Sequence, residues 1–286
     1  MYQVSIENAR GQSIQLTGNE ANYQILNIEG LNPPQAQVNT TNIAGMDGAK
    51  FNSSKLQTRN LVITIKINGD AEANRINLYQ YFPTKEQVTF YYSNGSRDVF
   101  IKGYVNSCEV NPFSQSEQMQ ISIICPQPYF KAIDEVIADI SNVTALFTFP
   151  FSINLSEPIP FSSYESNKVT NVFNPADVKT GVIIQIDIID TVNDILIRNV
   201  ETGDTFEINY AFQAGDRITV NTNSGEKSVH LLRDGVVSNL FSSIVSGSVF
   251  LQLQAGDNPL GFQVDDGDND DLVYITFSFH SMYRGV

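Results

Sequence analysis

The chain has 286 residues and a formal net charge of −14, with 42% hydrophobic and 10% aromatic side chains and only 17% charged ones. Such a composition excludes a disordered chain, and no apolar run approaches the ~18 residues of a membrane-spanning helix. At about 150 residues per domain, the length points to two domains. Residues 1–7 hold no basic segment followed by an apolar one, so a cytoplasm-made chain without a secretory signal is expected.

The charge is divided unevenly. Residues 1–131 carry ten acids and ten bases, whereas the remainder carries 21 acids and seven bases, so the whole net charge falls in the second half. The expected domains are therefore 1–131 and 132–286. An acidic half repels phosphates, which argues against nucleic-acid binding there. A neutral half does not repel copies of itself and is the better candidate for self-assembly.

Taken in chain order, Tyr23–Ile28 alternates weakly, and Leu61–Ile67 is a strong β run ending at the Asn68-Gly69 turn. Asp70 is placed to cap a helix over 71–82. Ala73, Ile76, Leu78, Tyr79 and Phe82 lie near helical spacing there, and Pro83 stops it. Gln87–Tyr92 and Arg97–Val105 flank Ser93-Asn94-Gly95-Ser96, a strong hairpin signal. Glu117–Ile124 is a further strand, halted by Cys125-Pro126-Gln127-Pro128, where the domain boundary is expected. Asp134–Ile140 reads as a strand or a single helical turn. Phe147–Phe151 and Pro158–Phe161 are apolar, proline-broken pieces that read as edge strands or as packing over a sheet.

From 181 the pattern becomes regular. Short β runs at 182–188, 195–200, 205–210, 217–222, 228–232, 249–253, 260–264 and 272–279 alternate with Gly-, Asp- and Asn-rich turns. That spacing predicts a β-sandwich or jelly roll.

Candidate chemistry is sparse. Asp266, Asp268 and Asp270 have the alternating spacing of a calcium loop, but Asp271 stands where a glycine is needed and Phe277 where a bidentate glutamate is needed. A solvated hairpin tip is the expectation, with the three aspartates as weak metal candidates only. The two histidines, His230 and His280, lie in expected strands with no ligand or triad spacing around them. No nucleophile elbow, phosphate loop or dinucleotide fingerprint occurs. The aromatic clusters Tyr79/Tyr81/Phe82 and Phe147/Phe149/Phe151 are expected in a core or an interface. Cys108 and Cys125 are too few for a disulfide scaffold, and two free, buried thiols are expected, although their spacing leaves a bridge open.

Several segments, in order, resemble one family, the distal tail proteins of long-tailed non-contractile bacteriophages. They are Gly45-Met46-Asp47-Gly48, the strand Leu61–Ile67, Leu78-Tyr79-Gln80-Tyr81-Phe82-Pro83, and Ile101-Lys102-Gly103-Tyr104-Val105. Cys125-Pro126-Gln127-Pro128-Tyr129-Phe130 follows, then Phe147–Phe151, Val200-Glu201-Thr202-Gly203, Leu253–Asn258 and Tyr283-Arg284-Gly285-Val286. The resemblance implies a structural, non-catalytic virion protein, mainly β, needing no cofactor. It implies an N-terminal domain that forms a hexameric ring at the tail tip, in one ring or two stacked ones. It also implies a galectin-like C-terminal β-sandwich that projects outward. The implied partners are the tail tube protein, the tail-associated hub protein and receptor-binding components, with DNA passing through the lumen and assembly in the host cytoplasm. A galectin-like half leaves a carbohydrate-binding module as the alternative function. An enzyme would need converging carboxylates that no spacing here marks. A ring closes through heterologous contacts, and in a β-rich chain an exposed hairpin edge is a natural adhesive. The Gln87–Val105 hairpin and the 70–82 helix, with Arg75, Tyr79 and Arg97, are the expected interface elements.

Overall fold

The structure, a computed structural model, describes residues 2–111, 117–145, 162–166, 169–265 and 270–286. The chain forms two compact units, one of Met1–Asp134 with Met282–Val286, the other of Glu135–Ser281. The five C-terminal residues thus pack with the first unit, whereas charge and composition alone placed them with the second half. What draws them there is a pair of arginine contacts too distant in sequence to be visible as a pattern.

The first unit is built from β1 (Gln3–Asn8), β2 (Ser13–Gln15), β3 (Tyr23–Glu29), β4 (Ala36–Asn42), β5 (Ala49–Leu56), β6 (Arg59–Ile67), α1 (Ala71–Tyr79), β7 (Gln87–Ser93), β8 (Asp98–Val110), β9 (Gln118–Cys125) and the start of β10 (Phe130–Asp139). Its main sheet is antiparallel, in the order β2-β1-β7-β8-β9-β6-β3. Alternation sets the core. Leu61, Ile63, Ile65 and Ile67 of β6 are buried and the residues between them are not. Leu61, Ile63 and Ile65 pair with Ile123, Ile121 and Met119 of β9, which are buried on the same face. Gly103 in β8 sits opposite Val88, and a methyl group there would press on Ile123, Cys125 and the Ile124 carbonyl at 2.6–2.9 Å. Only the absence of a side chain lets β8 approach β9 so closely.

The helix runs Ala71–Tyr79, with the Asp70 carboxylate accepting the Ala73 amide at 3.2 Å as its N-cap. It ends three residues before the expected stop. Of the apolar face expected for it, only Leu78 and, just beyond the helix, Phe82 are buried; Ala73, Ile76 and Tyr79 are exposed. The Asn94–Arg97 loop joins β7 to β8, its Asn94 side-chain oxygen accepting the amides of Ser96 and Arg97. The segment 134–140, ambiguous in the sequence, lies in strand β10 through Asp139.

The second unit holds the rest of β10, then β11 (Ser141–Ala145), β12 (Ser162–Ser166), β13 (Val169–Asn171), β14 (Thr180–Gly181), β15 (Ile183–Ile188), β16 (Val192–Asn199), β17 (Thr205–Phe212), β18 (Arg217–Asn221), β19 (Ser228–Arg233), β20 (Val236–Asn239), β21 (Gln252–Leu253), β22 (Pro259–Val264) and β23 (Val273–Tyr283), whose last two residues belong to the first unit. Within the unit one sheet is ordered β23-β15-β18-β19-β20 and another β13-β22-β16-β17. Their inward residues, among them Ile184, Ile186, Ile197, Phe206, Ile218 and Phe277, form one core, the arrangement of a β-sandwich. The strands expected beyond 181 are nearly all present, within a few residues of the expected limits. The expected edge pieces at 147–151 and 158–161 lie outside the described residues, as do Asp266 and Asp268.

Candidate assembly surface

Among the described residues, the two strands β4 and β5 pair only with each other, in a two-stranded sheet. Their register runs from Ala36↔Leu56 to Asn42↔Ala49, with a bulge between Asn39 and Thr40. Side-chain hydrogen bonds between Asn39 and Ser53 (3.1 Å) and between Asn52 and Thr41 (2.7 Å) lace the two strands together. Every residue of both strands except Leu56 is exposed. That includes large apolar groups: Val38 is 56% exposed, Phe51 60%, and at the tip Ile43 44% and Met46 66%. An isolated two-stranded hairpin is marginal in water, and among the described residues no third strand pairs with this one. Clustered apolar side chains on such an arm are the kind of exposed patch that marks a protein–protein contact.

The helix adds a second exposed apolar feature. Ile76 and Tyr79 face outward, and Arg75 is fixed beside them. Its guanidinium bonds the Glu72 carboxylate at 2.5 Å and donates to the Tyr79 hydroxyl at 2.8 Å. These contacts hold the Arg75 guanidinium firmly protonated, the Glu72 carboxylate being the main cause.

The other expected interface residues are placed differently. The β7–β8 hairpin is not a sheet edge, because β1 covers β7 and β9 covers β8, so its backbone groups are already paired. The sequence signal located the hairpin and could not reveal that both of its flanks would be occupied. Arg97 is half-buried. It donates to the Gly285 carbonyl at 2.5 Å and lies 4.2 Å over the Tyr283 ring, both within the first unit. The hairpin β4–β5 was missed by sequence reading; its one signal was the Gly45–Gly48 turn, where both glycines adopt positive φ.

Among the described residues, no group of three His, Cys, Asp or Glu side chains is arranged to hold an ion. Asp270 is buried rather than at a solvated tip, and its carboxylate accepts the Val264 amide at 2.7 Å. His230 lies in β19 opposite Thr219 and Asn239, and His280 lies in β23. Both cysteines are free, Cys125 buried and Cys108 half-buried. Among the described residues no helix is long and apolar enough to cross a membrane.

Comparison with known proteins supplies the context. Residues 10–125 match the phage tail protein RIFT-related domain, and residues 175–283 match the C-terminal domain of siphovirus-type tail components. The fold is similar to that of phage SPP1 Dit, described as a paradigm of the hub adsorption apparatus of phages that infect Gram-positive bacteria. The TM-score is 0.68 at 15% identity, over 98% of this chain and 99% of that one. Chains of the phage P2 baseplate in its activated conformation are also similar. The calcium form gives TM-score 0.53 at 10% identity, over 97% of this chain and 98% of that one; the strontium form gives 0.54 at 10%, over 98% of each. No curated protein matches the chain. With the two phage tail domains matched in order over residues 10–125 and 175–283, the chain belongs to the distal tail proteins, components of the siphovirus-type phage tail.

Proposed function

We propose that the chain assembles as a hexameric ring at the tail tip, built by the first unit, with the acidic β-sandwich at the periphery. The β4–β5 arm is the observation that carries this reading: it exposes Val38, Phe51 and Met46 and has no partner strand among the described residues. A ring needs a heterologous contact, in which a feature on one copy meets a different surface on the next. A projecting arm suits such a contact, and the exposed Ile76 and Tyr79 of α1, with Arg75, form a second surface for it. Charge supports the same division. The first unit adds Asp134 and Arg284 to the balanced residues 1–131 and so stays neutral, with eleven acids and eleven bases. Copies of it approach without net repulsion. The second unit then carries 20 acids and six bases, which disfavours its sticking to DNA that passes through the lumen. In this role the ring joins the tail tube protein to the tail-associated hub protein and the receptor-binding components, and it assembles in the host cytoplasm.

Light scattering after size exclusion tests the stoichiometry. The expected mass is six or twelve times the 31.7 kDa of one chain. A dimer or trimer that persists across concentrations would rule out the sixfold ring.

A further inference from the structure

The residues 282–286 grip the base of the β4–β5 arm. The arm leaves the sheet through Gly30-Leu31-Asn32-Pro33, and the Val286 amide donates to the Leu31 carbonyl at 3.1 Å. Gly285 lies so close that a methyl group on it would sit 3.0–3.1 Å from Pro33 and the Leu31 carbonyl. Two arginines clamp this junction. Arg59, at the start of β6, is 3% exposed and, among the described residues, has no carboxylate partner. Its guanidinium donates to four backbone carbonyls: Gly30, Asn32 (2.7 Å), Pro128 (2.7 Å) and Arg284 (2.5 Å). Its flat face lies 4.4 Å over the Phe130 ring. Arg97 holds the same residues through the Gly285 carbonyl and the Tyr283 ring.

Burying a guanidinium without a carboxylate is costly unless its donors are filled. Here the acceptors come from three separate stretches of chain, so ordering any one of them helps order the others. We propose that residues 282–286, clamped by Arg59 and Arg97, act as a latch that fixes the base of the β4–β5 arm and so its direction. The arm is the assembly element only on the reading given above, whereas the latch itself is a property of the folded monomer. Arg59, Arg97 and Tyr283 are positioning residues in this scheme. They act on the neighbouring copy through the arm and do not touch it.

Amide hydrogen exchange reads the latch directly. The Gln57 amide donates to the Gln35 carbonyl at 3.1 Å and closes the base of the arm. In Arg97→Ala and Tyr283→Ala, exchange at Gln57 and Val286, whose amides bond the Gln35 and Leu31 carbonyls, is expected to rise roughly tenfold or more, as the loss of a charge-assisted contact implies. Val99 and Ile101 of β8 are expected to stay protected in the same samples. Tyr283→Phe keeps the ring under Arg97, and among the described residues the Tyr283 hydroxyl has no hydrogen-bond partner, so this variant is expected to exchange like the wild type. Arg59→Gln is omitted from the primary test because so buried a change threatens the fold itself. The comparison is made on the wild-type chain and on a Phe51→Ser background, so the result does not depend on ring formation. Unchanged exchange at the arm base in both alanine variants overturns the latch. So does a uniform rise that includes β8, because the effect would then be global loss of stability.

Discussion

Asp216 shows how single residues hold the sandwich. Its carboxylate is nearly inaccessible and is held by Arg233 through contacts of 2.8 and 2.5 Å. The Gln213 amide donates to it at 2.8 Å. The Arg233 bond, chiefly, lowers its pKa below the ordinary carboxylate value. A lowered folded-state pKa gives stability that is present above the unfolded value and lost as pH falls through the folded one. Asp216→Asn is therefore expected to cost about 1–3 kcal/mol at neutral pH. The gap from wild type should close as pH drops below about 4. Urea unfolding at pH 7 and pH 3 measures both numbers, and a gap that widened in acid would contradict the assignment. The cysteines make a second residue-scale prediction. Burial pushes the Cys108 thiol to about 11 and the Cys125 thiol to about 12, the latter against a smaller opposing pull from Arg59. At pH 8 neither is a thiolate, so neither is expected to react with an aromatic disulfide reagent until the protein unfolds. One fast equivalent in the native protein would refute this. From the sequence, free thiols were the expectation with a bridge left open, and the structure leaves both unpaired. The burial of Asp270 was not readable there. A short acidic run looks solvated, and only the fold turns one of its members toward the Val264 amide.

At the scale of elements, what could be read depended on whether a face is buried within one chain. Strand β6 in the first unit, and β15, β18 and β22 in the second, each put apolar residues into the core of their own unit, so their pattern appears in the sequence. The arm strands read Ala-Gln-Val-Asn-Thr-Thr-Asn and Ala-Lys-Phe-Asn-Ser-Ser-Lys-Leu. Neither face is buried in the monomer, so no alternation marks them. The helix is an intermediate case. Its Asp70 cap and its start were readable, but its apolar residues divide between one buried leucine and an outward pair. Gly103→Ala tests the tightest crossing between elements. The new methyl group would meet Ile123, Cys125 and the Ile124 carbonyl, so a loss of about 1–3 kcal/mol is expected by thermal or denaturant unfolding. A neutral result would mean that β8 and β9 have room to separate.

For the whole molecule, the division of labour follows from charge and exposure together. A neutral unit bears the exposed arm, and a separate unit bears the entire charge of −14. The charge asymmetry stands in the sequence. The return of residues 282–286 to the first unit does not, because it depends on Arg59 and Arg97 reaching carbonyls 225 and 188 residues away. Burying a side chain such as Phe51 in a contact contributes about 2 kcal/mol, equivalent to roughly a 30-fold change in affinity at each interface. Because the residue is exposed in the monomer, replacing it should leave monomer stability nearly unchanged.

Sedimentation velocity over a range of concentrations, with wild type beside Phe51→Ser, tests the arm as the assembly element most directly. The wild type is predicted to shift to a hexamer or dodecamer as concentration rises. Phe51→Ser is predicted to remain a monomer over the same range, with an unchanged melting temperature. A variant that assembles as readily as the wild type, or a wild type that stays monomeric at the highest concentration, would contradict the account.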